Sequence, residues 1–467
     1  MGIYEQNLVY EQSCSGLNVY IILQPEIIVM DSQKISLGAA TAVGLGAIIG
    51  AGIFTLSGSA IALAGSDAII AFILVGAVAI IIALELGELG SIMPKVKGAS
   101  YSYVREAFGS ELGFLTGVFR FLSYSIGISA IAIGFGAYFA SLFGLASSSS
   151  IYASILLIVA LAAVNLRGIK KAASADLGLV LIKIGVLAVF IAFALLLATQ
   201  SPSRLSDNLV TASAQAGITP IFEASVAIFF AYSGFQTVST FTSRVKGGAK
   251  GAARAILLSV IISMVIYVLV IIALIALMPA GKYSINADPL SIALKYSGAP
   301  GYMSILVDIG ALVATASAAL SMILGASRTA YQMSVDGLLP SALRKYDAGR
   351  DVAINGVILS SIIAVLMLFA GSIYVIAAIS NFGVLFSYFL IGFAIIYFRK
   401  HRSSRGFRMP LYPYLTIAGI IGVIIFMIGM PQEALVFGVV VALASLAAYY
   451  TLREIDNKKP VEVRLFK

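Results

Sequence analysis

Residues 44–54 read GLGAIIGAGIF, four glycines in eleven residues near the middle of the first long apolar run. Each glycine inside a helix costs about 0.5–1 kcal/mol against alanine. The run therefore weakens the helix that its own hydrophobicity calls for, and the rest of the chain has to explain why.

The surroundings are those of a membrane protein. The 467 residues are 60% hydrophobic and 11% charged, with a mean hydropathy of +1.03, far outside the range of soluble domains. Apolar runs long enough to cross a hydrocarbon core of roughly 30 Å as helices recur twelve times, the first over 38–62 and the sixth over 219–241. The expected fold is an all-α polytopic membrane protein with about 12 transmembrane helices. The net charge of +9 does not indicate nucleic acid, because of its placement. Of 30 Lys and Arg, 25 fall at the termini and in the even-to-odd connections, three (Arg204, Lys282, Lys295) in the opposite set, and Arg120 and Lys183 inside spans. The positive-inside rule then puts both termini in the cytoplasm of a multi-pass cell-membrane protein.

Chemistry of other kinds finds little material. Cys14 is the only cysteine and His401 the only histidine, so no metal site, disulfide framework or His-dependent catalytic triad is expected. No P-loop and no clustered acid, base and nucleophile appear, so neither a cofactor nor an enzyme is expected. Residues 1–33 form an N-terminal tail, expected to be disordered or interfacial. Its VYIILQPEIIVM segment is short and holds Pro25 and Glu26, unlike a signal peptide.

The sixth run repeats the anomaly of the first. IFFAYSGFQTVSTF (228–241) is interrupted near its centre by Ser233-Gly234. Paired interruptions in two halves point to an inverted repeat, here 34–200 (spans one to five) against 201–400 (spans six to ten), followed by two further spans over 401–452 and a tail over 453–467. A break in span one frees amides at the start of its outer half, the positive end of a helix dipole, which seats a carboxylate. Span six runs the other way, and its outer half ends in freed carbonyls, which seat an ammonium. Open backbone at this depth is tolerated only where it meets a partner or lines a cavity. The implied partner carries both charges close together, as an α-amino acid does. The competing reading is close helix packing, since Gly46-xxx-Gly50 is a small-xxx-small motif.

Several stretches resemble the amino acid, polyamine and organocation (APC) transporter superfamily. GAIIGAGIF (46–54) is similar to its unwound first span, ELGSIMPKVKGASYSYVREAFG (88–109) to its second span and following loop, NLRGIKKAASA (165–175) to the loop after span four, SRTAYQMSVDGLLP (327–340) to the loop after span eight, and RGFRMPLYP (405–413) to the segment before span eleven. The resemblance implies a five-plus-five inverted repeat and alternating access. It also implies that the amides of Ile49, Gly50, Ala51 and Gly52 meet the substrate carboxylate. Carbonyls of Phe230, Ala231 and Ser233 would meet its amine, with the Phe230 ring closing over it. The sequence departs from the family at Gly-Phe-Gln (234–236), where many members have Gly-Phe-Glu, and at Arg-Val-Lys-Gly-Gly (244–248), where Glu-x-x-Asn-Pro is common.

Ionisable residues inside the spans complete the expectations. Lys183 in LVLIKIGVLAVF resembles the span-five lysine of some proton-coupled members, which places its ammonium between spans one and eight, near Ser321, as the proton carrier. Snorkelling of its long stem to the interface is the alternative, and Arg120 is expected to snorkel. Glu88, one turn after Glu85, is a gate or helix-end charge, and Glu223 a gate or vestibule charge. The side-chain pocket draws on Phe230, Tyr232, Ser317, Ser321 and Met322, with no acid firmly at substrate depth, which favours neutral amino acids and leaves cationic ones open through Glu223. The resulting expectation is a secondary transporter importing amino acids with protons across the lipid bilayer. An exchanger without proton coupling and a non-transporting amino acid sensor stay open.

Overall fold

The computed structural model describes residues 35–93, 100–168, 172–200, 208, 217–236, 238, 245–402 and 406–456, with the backbone alone for 172–177 and 452–456. The expected tail over 1–33, most of the Arg-Val-Lys-Gly-Gly connection's approach and the end of the 453–467 tail lie outside the described residues. Twelve apolar helical segments are found among them. Span one begins as Leu37–Ile48 and resumes as Ala51–Thr55 and Ser57–Ala64. Spans two to six are Ala68–Ile92, Ser110–Phe143, Ser150–Arg167, Ala172–Gln200 and Ile218–Tyr232. Spans seven to twelve are Gly248–Leu277, Gly301–Val335, Ile354–Met367, Ile373–His401, Tyr414–Ile428 and Gln432–Asp456. We call the end at which span one begins the inner end.

Two helices lie between spans, Ser100–Phe108 before span three and Pro289–Ser297 before span eight, and a short antiparallel pair, Tyr346–Asp347 with Val352–Ala353, precedes span nine. Burial sorts the spans into centre and rim. The most apolar stretch of span ten is 78% buried, while those of spans four and twelve are 22% buried and present Leu156, Val159, Val439 and Leu443 outward. In lipid such exposed aliphatics are at no disadvantage. Spans three and eight, the two longest, pack along each other, and span ten packs along span three.

Two motifs take a different form from the loops expected of them. Most of SRTAYQMSVDGLLP is helix, because span eight continues to Val335 before the chain turns at Asp336, where Leu338 N reaches back to Met333 O at 2.9 Å. SYSYVREAF is an amphipathic helix with Tyr101, Tyr103 and Val104 buried. The two segments meet: Arg105 pairs with Asp336 at 2.7 Å, and Tyr101 Oη donates to the same carboxylate at 2.7 Å. Burial, reinforced by Asp336, pushes the Tyr101 phenol above its ordinary range, so it remains a donor.

Candidate functional site

The break in span one sits where the glycines place it. Ile49 leaves helical geometry (φ −74°, ψ 76°), Gly50 is extended (φ −114°, ψ −143°), and a helix restarts at Ala51. Two of the four amides assigned to a carboxylate are already used, since Ile49 N donates to Leu45 O and Gly50 N to Ile48 O, each at 2.7 Å. The amides of Ala51 and Gly52 open the new helix instead and have no acceptor within it. That helix is carried past Leu56 by Leu56 N to Gly52 O at 2.8 Å and Ala60 N to Leu56 O at 3.0 Å.

Span six ends its helix at Tyr232, and Ser233 turns out to φ −62°, ψ 142°. Ser233 caps the end itself, with its Oγ 2.8 Å and its N 3.2 Å from Phe230 O. Gly234 follows at φ +123°, and a Cβ there would lie 2.3 Å from Ala47 O. Only glycine satisfies both the left-handed backbone and that approach. On the other side of the junction a Cβ on Gly52 would lie 2.3 Å from Ala231 Cα. The two breaks thus abut through their backbones, with close packing requiring glycine at Gly52 and Gly234.

One side chain ties the breaks together. Tyr267, in the middle of span seven, places its hydroxyl 2.8 Å from Ile48 O and 2.9 Å from Ala231 O. It is fully buried, with its ring edge-on to Tyr232 at 5.1 Å and to Phe72 at 5.9 Å. With one proton it donates to one carbonyl at a time, so it links the two breaks without locking either. Nothing in SMVIYVLV (263–270) distinguishes this tyrosine from an apolar neighbour in the sequence.

A void of about 20 Å³ lies at the junction, lined by Gly50, Ala51, Gly52, Phe230, Ser233 and Met322 of the expected residues. Ala47, Ile48, Ile131 and Ala318 complete its wall. The space suits about one water. Ile49 and Ala231 flank the junction without lining the void. Tyr232 turns away from it, donating to Phe72 O at 3.1 Å across to span two. Ser317 and Ser321 lie off the wall on span eight, where Ser321 is exposed and bonds Ser317 O at 3.0 Å. The pocket face of span eight is Ala318 and Met322, one residue, or about 100°, from the serines.

Lys183 is 1% exposed and does not snorkel. Its Nζ donates to Gly46 O of span one at 3.3 Å, one turn inward of the break. Glu88 is fully buried, clasped by Arg399 of span ten at 2.6 and 2.7 Å and by Met409 N at 2.8 Å. The Arg399 guanidinium also lies 4.0 Å over the Tyr412 ring. Glu88 thus fastens span two to span ten and to the segment before span eleven, which is not the role of a solvated helix-end charge. Glu223 is half-buried at the outer end of span six, its carbonyl 3.5 Å from Tyr374 Oη. At the inner end, Ile35 pairs with Val245, and Lys246 N donates to Ile35 O at 2.9 Å, which joins the entry of span one to the entry of span seven.

The sequence profile described as amino acid permease matches residues 35–451. The chain belongs to the amino acid permease family. Similar relatives include the methylthioribose transporter of Bacillus subtilis, 28% identical over 81% of this chain and 84% of the relative. The branched-chain amino acid permease BcaP of Lactococcus lactis is 28% identical over 90% of this chain and 94% of the relative. BcaP of Bacillus subtilis is 27% identical over 90% and 93%. As a member of this permease family the protein is a multi-pass membrane transporter and not an enzyme.

Proposed function

We propose that the protein carries neutral, aliphatic amino acids by alternating access, with the zwitterion seated between the breaks of spans one and six. The observation that supports this most is the void at the junction. It is bounded by Ala51 and Gly52, the first turn of the resumed helix, on one side and by the end of span six, Phe230 and Ser233, on the other. Its remaining wall is apolar and holds no charged residue, which suits a hydrocarbon side chain. The two BcaP relatives, named as branched-chain amino acid permeases, point the same way. In this reading the conformation seen here is one step of a cycle in which 34–200 and 201–400 act as inverted repeats, in a cell membrane, with both termini cytoplasmic.

Coupling to protons is part of the proposal. Lys183 charges and discharges against Gly46 O, and loss of its proton releases the inner half of span one. Uptake of labelled L-isoleucine into proteoliposomes with and without an inward pH gradient tests it. Gradient-driven accumulation that disappears in Lys183→Ala supports symport. Undiminished uptake at zero gradient with trapped L-isoleucine would instead favour exchange. Accumulation retained in Lys183→Ala would remove that residue from coupling.

A further inference from the structure

Arg120 is a buried charge that the site described above leaves unused. It lies in span three, seven residues and hence about 10 Å inward of Gly127, and Gly127 abuts Met322 and Phe230 at the edge of the void. The expected snorkelling does not occur, for Arg120 is 5% exposed. Its Nη2 donates to Tyr124 Oη at 2.6 Å, and its guanidinium stands 4.7 Å from the Tyr124 ring centre. Tyr388 of span ten faces it with a second phenol, whose hydroxyl donates a hydrogen bond to Gln236 Oε1 at 2.6 Å.

These partners supply acceptors but no negative charge. Arg120 touches the Tyr388 phenol, but its Nη1 is buried without a well-formed hydrogen bond, and Arg120 enters no ion pair among the described residues. A guanidinium does not shed its proton, and an uncompensated charge at this depth is unfavourable. Span six contributes the neutral amide of Gln236 to this layer, not a carboxylate. The open Nη1 belongs to a planar fork that fits a carboxylate with two parallel hydrogen bonds. Tyr124 also packs against Gly325 of span eight, so the layer is shared by spans three, six, eight and ten, just inward of the void.

We propose that Arg120 is a second carboxylate station, which receives the α-carboxylate of the transported amino acid after it leaves the amides of span one on its way to the inner face. The proposal rests on the amino acid reading above. Between passages the arginine leans on the two phenols, and the passing substrate supplies the missing counter-charge. A weak, transient site suits this place, since a station that held too tightly would slow release.

The test compares half-saturation for L-isoleucine at the two faces, in oriented right-side-out and inside-out vesicles carrying the full chain. Arg120→Gln should raise the inner-face value about tenfold, the loss of one charge-assisted contact, and leave the outer-face value within about twofold. Arg120→Lys, which keeps the charge, should recover most of the loss. Equal changes at both faces, or none, overturn the proposal. Replacing chloride by methanesulfonate, which carries no carboxylate, separates the sources of the anion: an inner-face value in the wild type that depends on chloride, with that dependence lost in Arg120→Gln, assigns the slot to an inorganic anion and overturns the carboxylate role. Should the wild type move no amino acid, the transport reading fails by itself. Arg120 is then tested by acetate-induced thermal protection of the purified protein, whose presence in wild type and loss in Arg120→Gln supports a carboxylate slot and whose absence removes it.

Discussion

Replacing Tyr267 by phenylalanine keeps the ring packing against Tyr232 and Phe72 and removes only the hydroxyl that spans the two breaks. The hydrogen bond it donates contributes about 1 kcal/mol net, and a buried carbonyl left without a donor adds about 1–3 kcal/mol. Ile48 O retains the Gly50 amide at 2.7 Å, so the deficit falls mainly on Ala231 O. The sum is about 2–4 kcal/mol, concentrated at the junction and not spread over the fold. The assay is the thermal midpoint of the purified protein in detergent, paired with initial uptake of L-isoleucine into proteoliposomes. Tyr267→Phe should lower the midpoint by several degrees and slow uptake at least several-fold, because the breaks are no longer held in register. Tyr232→Phe is the matched control, since its hydroxyl bonds Phe72 O in an unbroken helix at 3.1 Å. Its loss should cost about 1 kcal/mol and spare uptake. If Tyr267→Phe behaves like that control in both readouts, the bridging role assigned to Tyr267 is wrong.

Other perturbations probe separate parts of the molecule. Gly52→Ala forces a Cβ to within 2.3 Å of Ala231 Cα; overpacking of this kind costs about 1–3 kcal/mol, and uptake should be lost while the protein remains monodisperse on size exclusion. Glu88→Gln leaves Arg399 without its carboxylate and should lower the detergent midpoint by the equivalent of about 3 kcal/mol, with part of the loss recovered in the Glu88→Gln, Arg399→Gln double variant. Asp288, in the connection before span eight, has its carboxyl pushed up to about 6, first by burial and then by Asp308, against the opposing pull of Lys295. Its charged form is disfavoured in the folded protein, so this contribution to stability is full below about pH 4 and is lost as pH rises through 6. Asp288→Asn should therefore raise the midpoint at pH 7 and flatten its pH dependence between 4 and 7; an unchanged profile would show that the carboxyl titrates normally.

The breaks in spans one and six were legible because glycine and Ser-Gly inside long apolar runs have few explanations besides a deliberate interruption, and the chain bears this out at Ile49-Gly50 and Ser233-Gly234. Which side chains face the void was less legible. Ser317 and Ser321 attracted attention as polar residues, but packing of span eight turns Ala318 and Met322 inward, and helical periodicity alone does not fix a rotation of one residue. Tyr267 was invisible for the same reason, as was the burial of Arg120, whose phenol partners Tyr124 and Tyr388 stand on two different spans. Glu88 and Arg399 each sit in or beside a recognisable motif, yet their separation of 311 positions hides the pairing that only the folded bundle creates.

The central claim, that the paired breaks seat a zwitterion, is tested most directly by competition against labelled L-isoleucine uptake in proteoliposomes. Unlabelled L-isoleucine should abolish the signal, while its methyl ester, which lacks the carboxylate, and 2-methylbutylamine, which lacks the carboxyl group altogether, should leave it nearly intact. Competition by the ester or the amine at the same concentration as the amino acid, or uptake of methylthioribose with none of L-isoleucine, would contradict it.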